Sequence, residues 1–228
     1  MFITYQTSFH KRIASLAGLA IFLFASTVNA QDLQKWEGEI SRLEKAAPPK
    51  PVADRIYTVF AGSSSIVFWQ HLSEVFPEQK ILKHGFGGSQ TFEVDHFARR
   101  LITDYRPKQV VIYSGENDIA AGKSPRRFLR DFKSLFRQIR KADKNTFVTF
   151  ISMKPSPTRK TFLPRFIEAN GLANRYLSRK KLTSYVDIYP LMLLPNGQPN
   201  PSLFKADSLH MVKAGYDIWN EALRSHLK

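Results

Sequence analysis

Val59-Phe60-Ala61-Gly62-Ser63-Ser64-Ser65 is a short apolar run that ends in a glycine and three serines. Such a run, stopped by Gly-Ser, reads as a strand turning sharply into a helix. A serine on that turn is exposed, yet it is a weak nucleophile unless a histidine takes its proton and a carboxylate orients the histidine. Asp207-Ser208-Leu209-His210 supplies both residue types on one segment near the far end of the chain. Gly-x-Ser and Asp-x-x-His are each common by chance. What lies between them decides their meaning.

Working outward from that turn, strands and helices alternate. Strands are expected at Ile56–Ala61, Gln79–Lys83, Gln109–Tyr113, Thr146–Met153 and Thr183–Ile188. Between them, Val94, Phe97, Ala98, Leu101 and Ile102 recur at helical spacing, as do Phe128, Phe132, Leu135, Phe136 and Ile139. Ile218, Trp219, Ala222 and Leu223 mark a last helix. Repeated βα units of this length predict an α/β fold, a five-stranded parallel sheet sandwiched between helices in three αβα layers. Right-handed crossovers leave few ways to wind it. In such sheets the site lies beyond the carboxyl ends of the strands.

Two further motifs sit at strand ends. Lys83-His84-Gly85-Phe86-Gly87-Gly88-Ser89 follows the second strand, and Tyr113-Ser114-Gly115-Glu116-Asn117-Asp118 follows the third. An acyl-transfer site needs hydrogen-bond donors aimed at the developing oxyanion, and a glycine-turn N–H and an asparagine amide are two such donors. Ser64, Gly88, Asn117 and the Asp207/His210 loop therefore all fall on one edge of one predicted sheet.

Taken in order, Gly62-Ser63-Ser64, Gly88, Asn117 and Asp207-x-x-His210 resemble the four blocks of the SGNH (GDSL-type) hydrolases, from about Ile56 to Leu227. The resemblance implies a flavodoxin-like SGNH fold and a serine esterase that needs no cofactor or metal. It makes Ser64 the nucleophile, His210 the general base and Asp207 the residue that orients it. The oxyanion donors are then the Ser64 N–H, the Gly88 N–H and the Asn117 side chain. One departure stands out: Ser63 occupies the place of the acid usual in the first block. The change bears on local hydrogen bonding more than on the chemistry, and it leaves three serines in a row. Ser64 is chosen because it is the second residue after Gly62.

Other readings of these motifs fail on single residues. A dinucleotide fingerprint over Gly85–Gly88 would need a third glycine where Gln90 stands. No Gly-Lys-Ser/Thr follows a glycine loop. Ile66 replaces the second glycine of a Gly-x-Ser-x-Gly elbow, which separates the chain from α/β-hydrolases. Ser64 is also a residue type that caps helices, Asn117 one that shapes turns, with Asp118 then a helix cap, and His210 could be a structural histidine, so a structural role for each of the three stands beside the catalytic reading. His84 is left unassigned, and His71, His96 and His226 show no metal-ligand spacing.

Residues 1–30 read as a signal peptide: a basic His10-Lys11-Arg12, an apolar Ile13–Ala25 and a small-x-small Val28-Asn29-Ala30 before Gln31. A periplasmic or secreted bacterial enzyme is expected, with no disulfide because the chain has no cysteine. Loss of Lys11 and Arg12 with the leader lowers the formal charge from +15 to +13 on 198 residues. Residues 31–51 are expected to form an amphipathic helix over Asp32–Lys45 and a proline-rich lead-in, and 52–228 the hydrolase domain.

Export argues against nucleic acid as the partner of so basic a chain. The expected ligand is a small-molecule or lipid ester, with an anionic membrane or envelope polymer as a candidate docking surface. Arg126, Arg130, Lys133, Arg137 and Arg140 form a basic stripe opposite the apolar face of their helix. A solvated helix face is the plainer reading of that stripe. A non-catalytic module binding an anionic polymer on the same fold is the alternative to an esterase. After the fourth strand, Lys154-Pro155-Ser156-Pro157-Thr158-Arg159 should border the pocket, with Arg159 and Phe162 as candidate substrate contacts.

Overall fold

The computed structural model describes residues 33–51 and 55–228. The expected leader and cleavage site lie outside these residues. The chain divides into a short unit ending at Ser41 and a compact unit, Arg42–Lys228. Helix α1, Glu37–Ala46, spans that division. Within the compact unit, the segment after α1 is held by charge: Arg100 binds Glu44 at 2.5 Å and Lys50 binds Asp104 at 2.9 Å.

Five parallel strands form the sheet: β1 Tyr57–Gly62, β2 Lys80–Gly85, β3 Gln109–Tyr113, β4 Phe147–Ile151 and β5 Thr183–Val186, in the order β2-β1-β3-β4-β5. The expected α/β architecture is therefore present. Register pairs Phe60 with Val111 and Ile151 with Val186 on one face of the sheet. That face is covered by α2 (Ser64–Val67), α3 (Leu72–Val75) and the last helix, Lys213–Arg224, whose Trp219 and Leu223 pack with Trp69, Phe60 and Val111.

The helices on the other face are α4 (Thr91–His96), α5 (Ala98–Leu101), α6 (Glu116–Ala120), α7 (Pro125–Ala142) and α8 (Leu163–Leu177); the last helix is α9. There Phe132 of α7 meets Phe150 of β4 with ring centroids 4.9 Å apart. Burial on both faces is why the central strands read as unbroken apolar runs rather than alternating ones. Strand β2 sits at an edge and exposes Lys80 and Lys83.

Ser124 starts α7, its hydroxyl accepting the Arg127 N–H at 3.2 Å. The basic stripe on this helix is not uniform. Arg140 donates to the carbonyls of Lys144, Lys181 and Leu182, and Lys133 lies 5.1 Å from the Tyr176 ring centroid. Arg126, Arg130 and Arg137 are exposed. Among the described residues no helix is long and apolar enough to cross a membrane.

The strand order places a topological switch point between β1 and β3, where connections leave in opposite directions and a crevice opens beyond the carboxyl ends. Ser64 lies two residues past Gly62, the last residue of β1, and Asn117 four past Tyr113, the last residue of β3. The fold thus brings the first and third motifs side by side.

Candidate active site

Gly62 makes the turn possible. Its φ is +143°, and a Cβ there would lie 1.9 Å from the Tyr113 carbonyl oxygen. Only a glycine permits that approach, across which the Ser63 N–H donates to the same oxygen at 3.3 Å. The Gly62 carbonyl in turn accepts the Phe86 N–H at 2.9 Å and the Ser89 hydroxyl at 3.2 Å. One glycine therefore ties together the ends of β1, β2 and β3.

The three serines that follow have three different fates. Ser63 is the extended N-cap of α2, buried, with no side-chain cap bond. Ser65 is buried and faces Lys154, whose Nζ lies 3.4 Å from its hydroxyl. Ser64, the first helical residue, points its hydroxyl at His210 Nε2, 3.1 Å away.

His210 is held from the other side. Its Nδ1 lies 2.7 Å from Asp207 Oδ2, and Asp207 Oδ1 accepts the backbone N–H groups of Leu209 and His210, each at 2.9 Å. The His210 backbone N–H, followed by its ring and the Leu209 N–H, holds the Asp207 carboxyl well below the usual carboxylate range. A carboxylate can only accept, so Nδ1 carries the proton and Nε2 is left bare toward Ser64. Ser208 takes a left-handed φ of 56° to close this turn. Phe68 lies edge-on to the imidazole at 4.8 Å between centroids, a wall that sequence reasoning did not single out.

The Ser64 and Gly88 N–H groups and the Asn117 amide are the expected oxyanion donors. As the first helical residue, Ser64 has an N–H with no intrahelical acceptor. The Gly85–Ser89 loop passes over it, and a Cβ on Gly87 would meet the Ser64 Cβ at 4.0 Å. Gly88 adopts a φ of +83°, and among the described residues its N–H takes no backbone acceptor. Asn117 donates one amide hydrogen to the Ser89 carbonyl at 3.0 Å, which leaves its second hydrogen uncommitted. Asp118 is committed elsewhere. It accepts from the Thr91 N–H and hydroxyl and pairs with Lys123, while burial pushes its pKa up.

Beneath the nucleophile lies a cluster with no motif of its own. Lys154 Nζ binds Glu116 Oε2 at 2.6 Å, and the Tyr113 hydroxyl donates to the same oxygen at 2.6 Å. Burial drives the Tyr113 pKa far up, so its hydroxyl stays a donor. The cluster connects the Ser63–Ser65 turn through Ser65, the segment before Asn117 through Glu116, and the end of β4. Of the segment Lys154–Arg159, Lys154 itself is buried, its ammonium held by the Glu116 carboxylate. His84 is likewise structural, its Nδ1 2.5 Å from the Leu101 carbonyl and burial lowering its pKa. Among the described residues no three His, Cys, Asp or Glu are grouped to hold a metal ion.

Solved structures share this architecture. A GDSL-like lipase from Bacteroides thetaiotaomicron superposes with a TM-score of 0.68 at 20% identity, covering 85% of this chain and 96% of that one. A lipase/acylhydrolase from Enterococcus faecalis gives 0.63 at 17% identity, over 75% and 97%. An acetyl-xylooligosaccharide esterase from Geobacillus stearmophilus gives 0.60 at 15% identity, over 75% and 95%. These likenesses carry the fold. No curated protein matches the chain. The family of ester-hydrolysing serine hydrolases described as the GDSL-like Lipase/Acylhydrolase family matches residues 27–218, and the chain belongs to it.

Proposed function

We propose that the protein is an exported serine esterase that hydrolyses a carboxylic ester through an acyl-enzyme on Ser64. The observation that carries this reading is the continuous line from Ser64 Oγ to His210 Nε2 and from Nδ1 to Asp207, 3.1 and 2.7 Å long. Bare Nε2 takes the Ser64 proton as Oγ attacks the ester carbonyl. The oxygen that becomes negative faces the Ser64 and Gly88 N–H groups and the free amide hydrogen of Asn117. His210 then gives its proton to the departing alcohol. The same nitrogen deprotonates a water that attacks the acyl carbon, and Ser64 recovers its hydrogen when the acid leaves.

Asp207 fixes the tautomer and supports the imidazolium without taking the proton. Export rests on the N-terminal sequence pattern alone. Hydrolysis of 4-nitrophenyl acetate by protein beginning at Gln31, abolished in His210→Ala, tests the chemistry. N-terminal sequencing of the protein from the cell envelope tests the address. Activity that survives His210→Ala, or an envelope protein that retains residues 1–30, would overturn the corresponding half.

A further inference from the structure

The mouth of this site carries cations that the hydrolysis itself does not require. Thr158 clips the segment after β4 onto the catalytic loop, donating its N–H to the Ser208 carbonyl at 3.2 Å and its hydroxyl to the Asp207 carbonyl at 2.8 Å. The next residue, Arg159, is thereby placed beside the oxyanion segment, with Nη2 3.5 Å from Asn117 Oδ1. A guanidinium can only donate, so this contact sets the amide of Asn117 with its oxygen toward Arg159 and its nitrogen toward Ser89.

That long bond to a neutral amide is a poor match for a guanidinium. Arg159 Nε is buried and has no hydrogen-bond partner. Three other arginines have carboxylate partners: Arg55 with Asp143, Arg100 with Glu44 and Arg127 with Asp131. The acids near Arg159 are taken. Asp207 serves His210, Glu116 serves Lys154 and Asp118 serves Lys123. On the base side of the triad, Lys205 lies over Phe68 at 4.8 Å from its ring centroid, and Phe68 stands against His210. The reacting centre is thus bracketed by two cations without a carboxylate between them to spare.

We propose that Arg159 is an anion-recognition residue, so that the preferred ester carries a carboxylate or phosphate near its scissile bond. This rests on the esterase reading and names its substrate class. An arginine fork binds either group through paired charged hydrogen bonds. Lys205 adds charge from the opposite side as a point cation rather than a fork.

The test is a ratio of kcat/KM for paired esters with and without an anionic group. 4-Nitrophenyl hemiglutarate against 4-nitrophenyl valerate places the charge on the acyl side. 4-Acetoxybenzoate against its methyl ester, and 4-acetoxyphenyl phosphate against phenyl acetate, place a carboxylate or a phosphate on the alcohol side. The charged ester should win by about tenfold or more in at least one pair, the scale of one charge-assisted bond. Arg159→Met should erase that preference, Arg159→Lys restore part of it, and added salt weaken it.

Any loss that works through the orientation of Asn117 strikes both esters of a pair and cancels in the ratio. A purely orienting role for Arg159 therefore leaves the ratio unmoved, which would overturn the proposal. So would the absence of charge preference in every pair, or a preference erased by Lys205→Met and not by Arg159→Met. Failure of the wild type to hydrolyse any of the neutral esters would instead overturn the esterase reading beneath it.

Discussion

Lys154 and Glu116 form an ion pair of 2.6 Å in which the two side chains are only 2% and 5% exposed. They come from the ends of different strands, and Ser65 and Tyr113 complete the cluster. A buried pair of this kind contributes little net stability over an apolar pair, but removing one partner strands a charge. Lys154→Met should therefore cost about 3–5 kcal/mol, read as a lowered urea midpoint. Lys154→Met combined with Glu116→Gln should recover part of the loss. Equal midpoints for wild type and Lys154→Met would show that the pair is not closed in solution.

Asn117 donates one amide hydrogen to the Ser89 carbonyl, and the proposed mechanism assigns the other to the oxyanion. Asn117→Ala should lower kcat by roughly 10²–10³, the usual cost of one oxyanion donor. KM should move far less, because that bond strengthens only as charge develops. A change confined to KM would make Asn117 a substrate-binding residue instead.

The acid side of the pH profile follows from Asp207. Its carboxyl is held well below the usual range, chiefly by the His210 backbone N–H, so it stays ionised where a free carboxyl would take up a proton. Asp207 should then add no protonation of its own to the acid limb of the activity profile. The expected slope of log kcat/KM on the acid limb is about 1. A slope of 2 would mean that Asp207 is protonated together with the base.

How far the sequence could be read depended on whether each signal was local. Strand β3 is found at the expected Gln109–Tyr113 because all five of its residues are buried. Strand β2 runs on to Gly85, two residues beyond its expected end, because Gly85 pairs with Gly62; a glycine carries no strand signal of its own. Strand β4 stops at Ile151 rather than Met153, since the Ser152 hydroxyl turns to accept the N–H groups of Ile188 and Tyr189.

At the site, Ser64, Gly88 and Asn117 could be picked out because each belongs to a motif just past a strand end, and Asp207 and His210 because they share one short segment. Lys154 could not. Its burial depends on a carboxylate 38 positions away, and a lysine beside prolines reads as surface loop. Phe68 had no signal either, because a single aromatic after the nucleophile turn looks like any other core or surface residue.

His84 gives a stability prediction with a definite sign. Burial lowers its pKa in the fold, so below about 6.5, where a free imidazole takes a proton, the unfolded chain binds more protons than the folded one. Its contribution is fully present above that pH and is lost as pH falls. His84→Asn, which keeps a donor for the Leu101 carbonyl, should flatten the fall in the urea midpoint between pH 7 and pH 5. Parallel curves for the two proteins would place the acid sensitivity elsewhere.

The central claim is that Ser64 alone among three adjacent serines is the nucleophile, and active-site labelling reads this directly. A fluorophosphonate loses fluoride to an activated serine oxygen and leaves a stable phosphonyl ester. Peptide mass spectrometry of the labelled protein should find a single adduct, on Ser64. Labelling should vanish in Ser64→Ala and persist in Ser63→Ala and Ser65→Ala. An adduct on Ser63 or Ser65, or undiminished labelling of Ser64→Ala, would contradict the account.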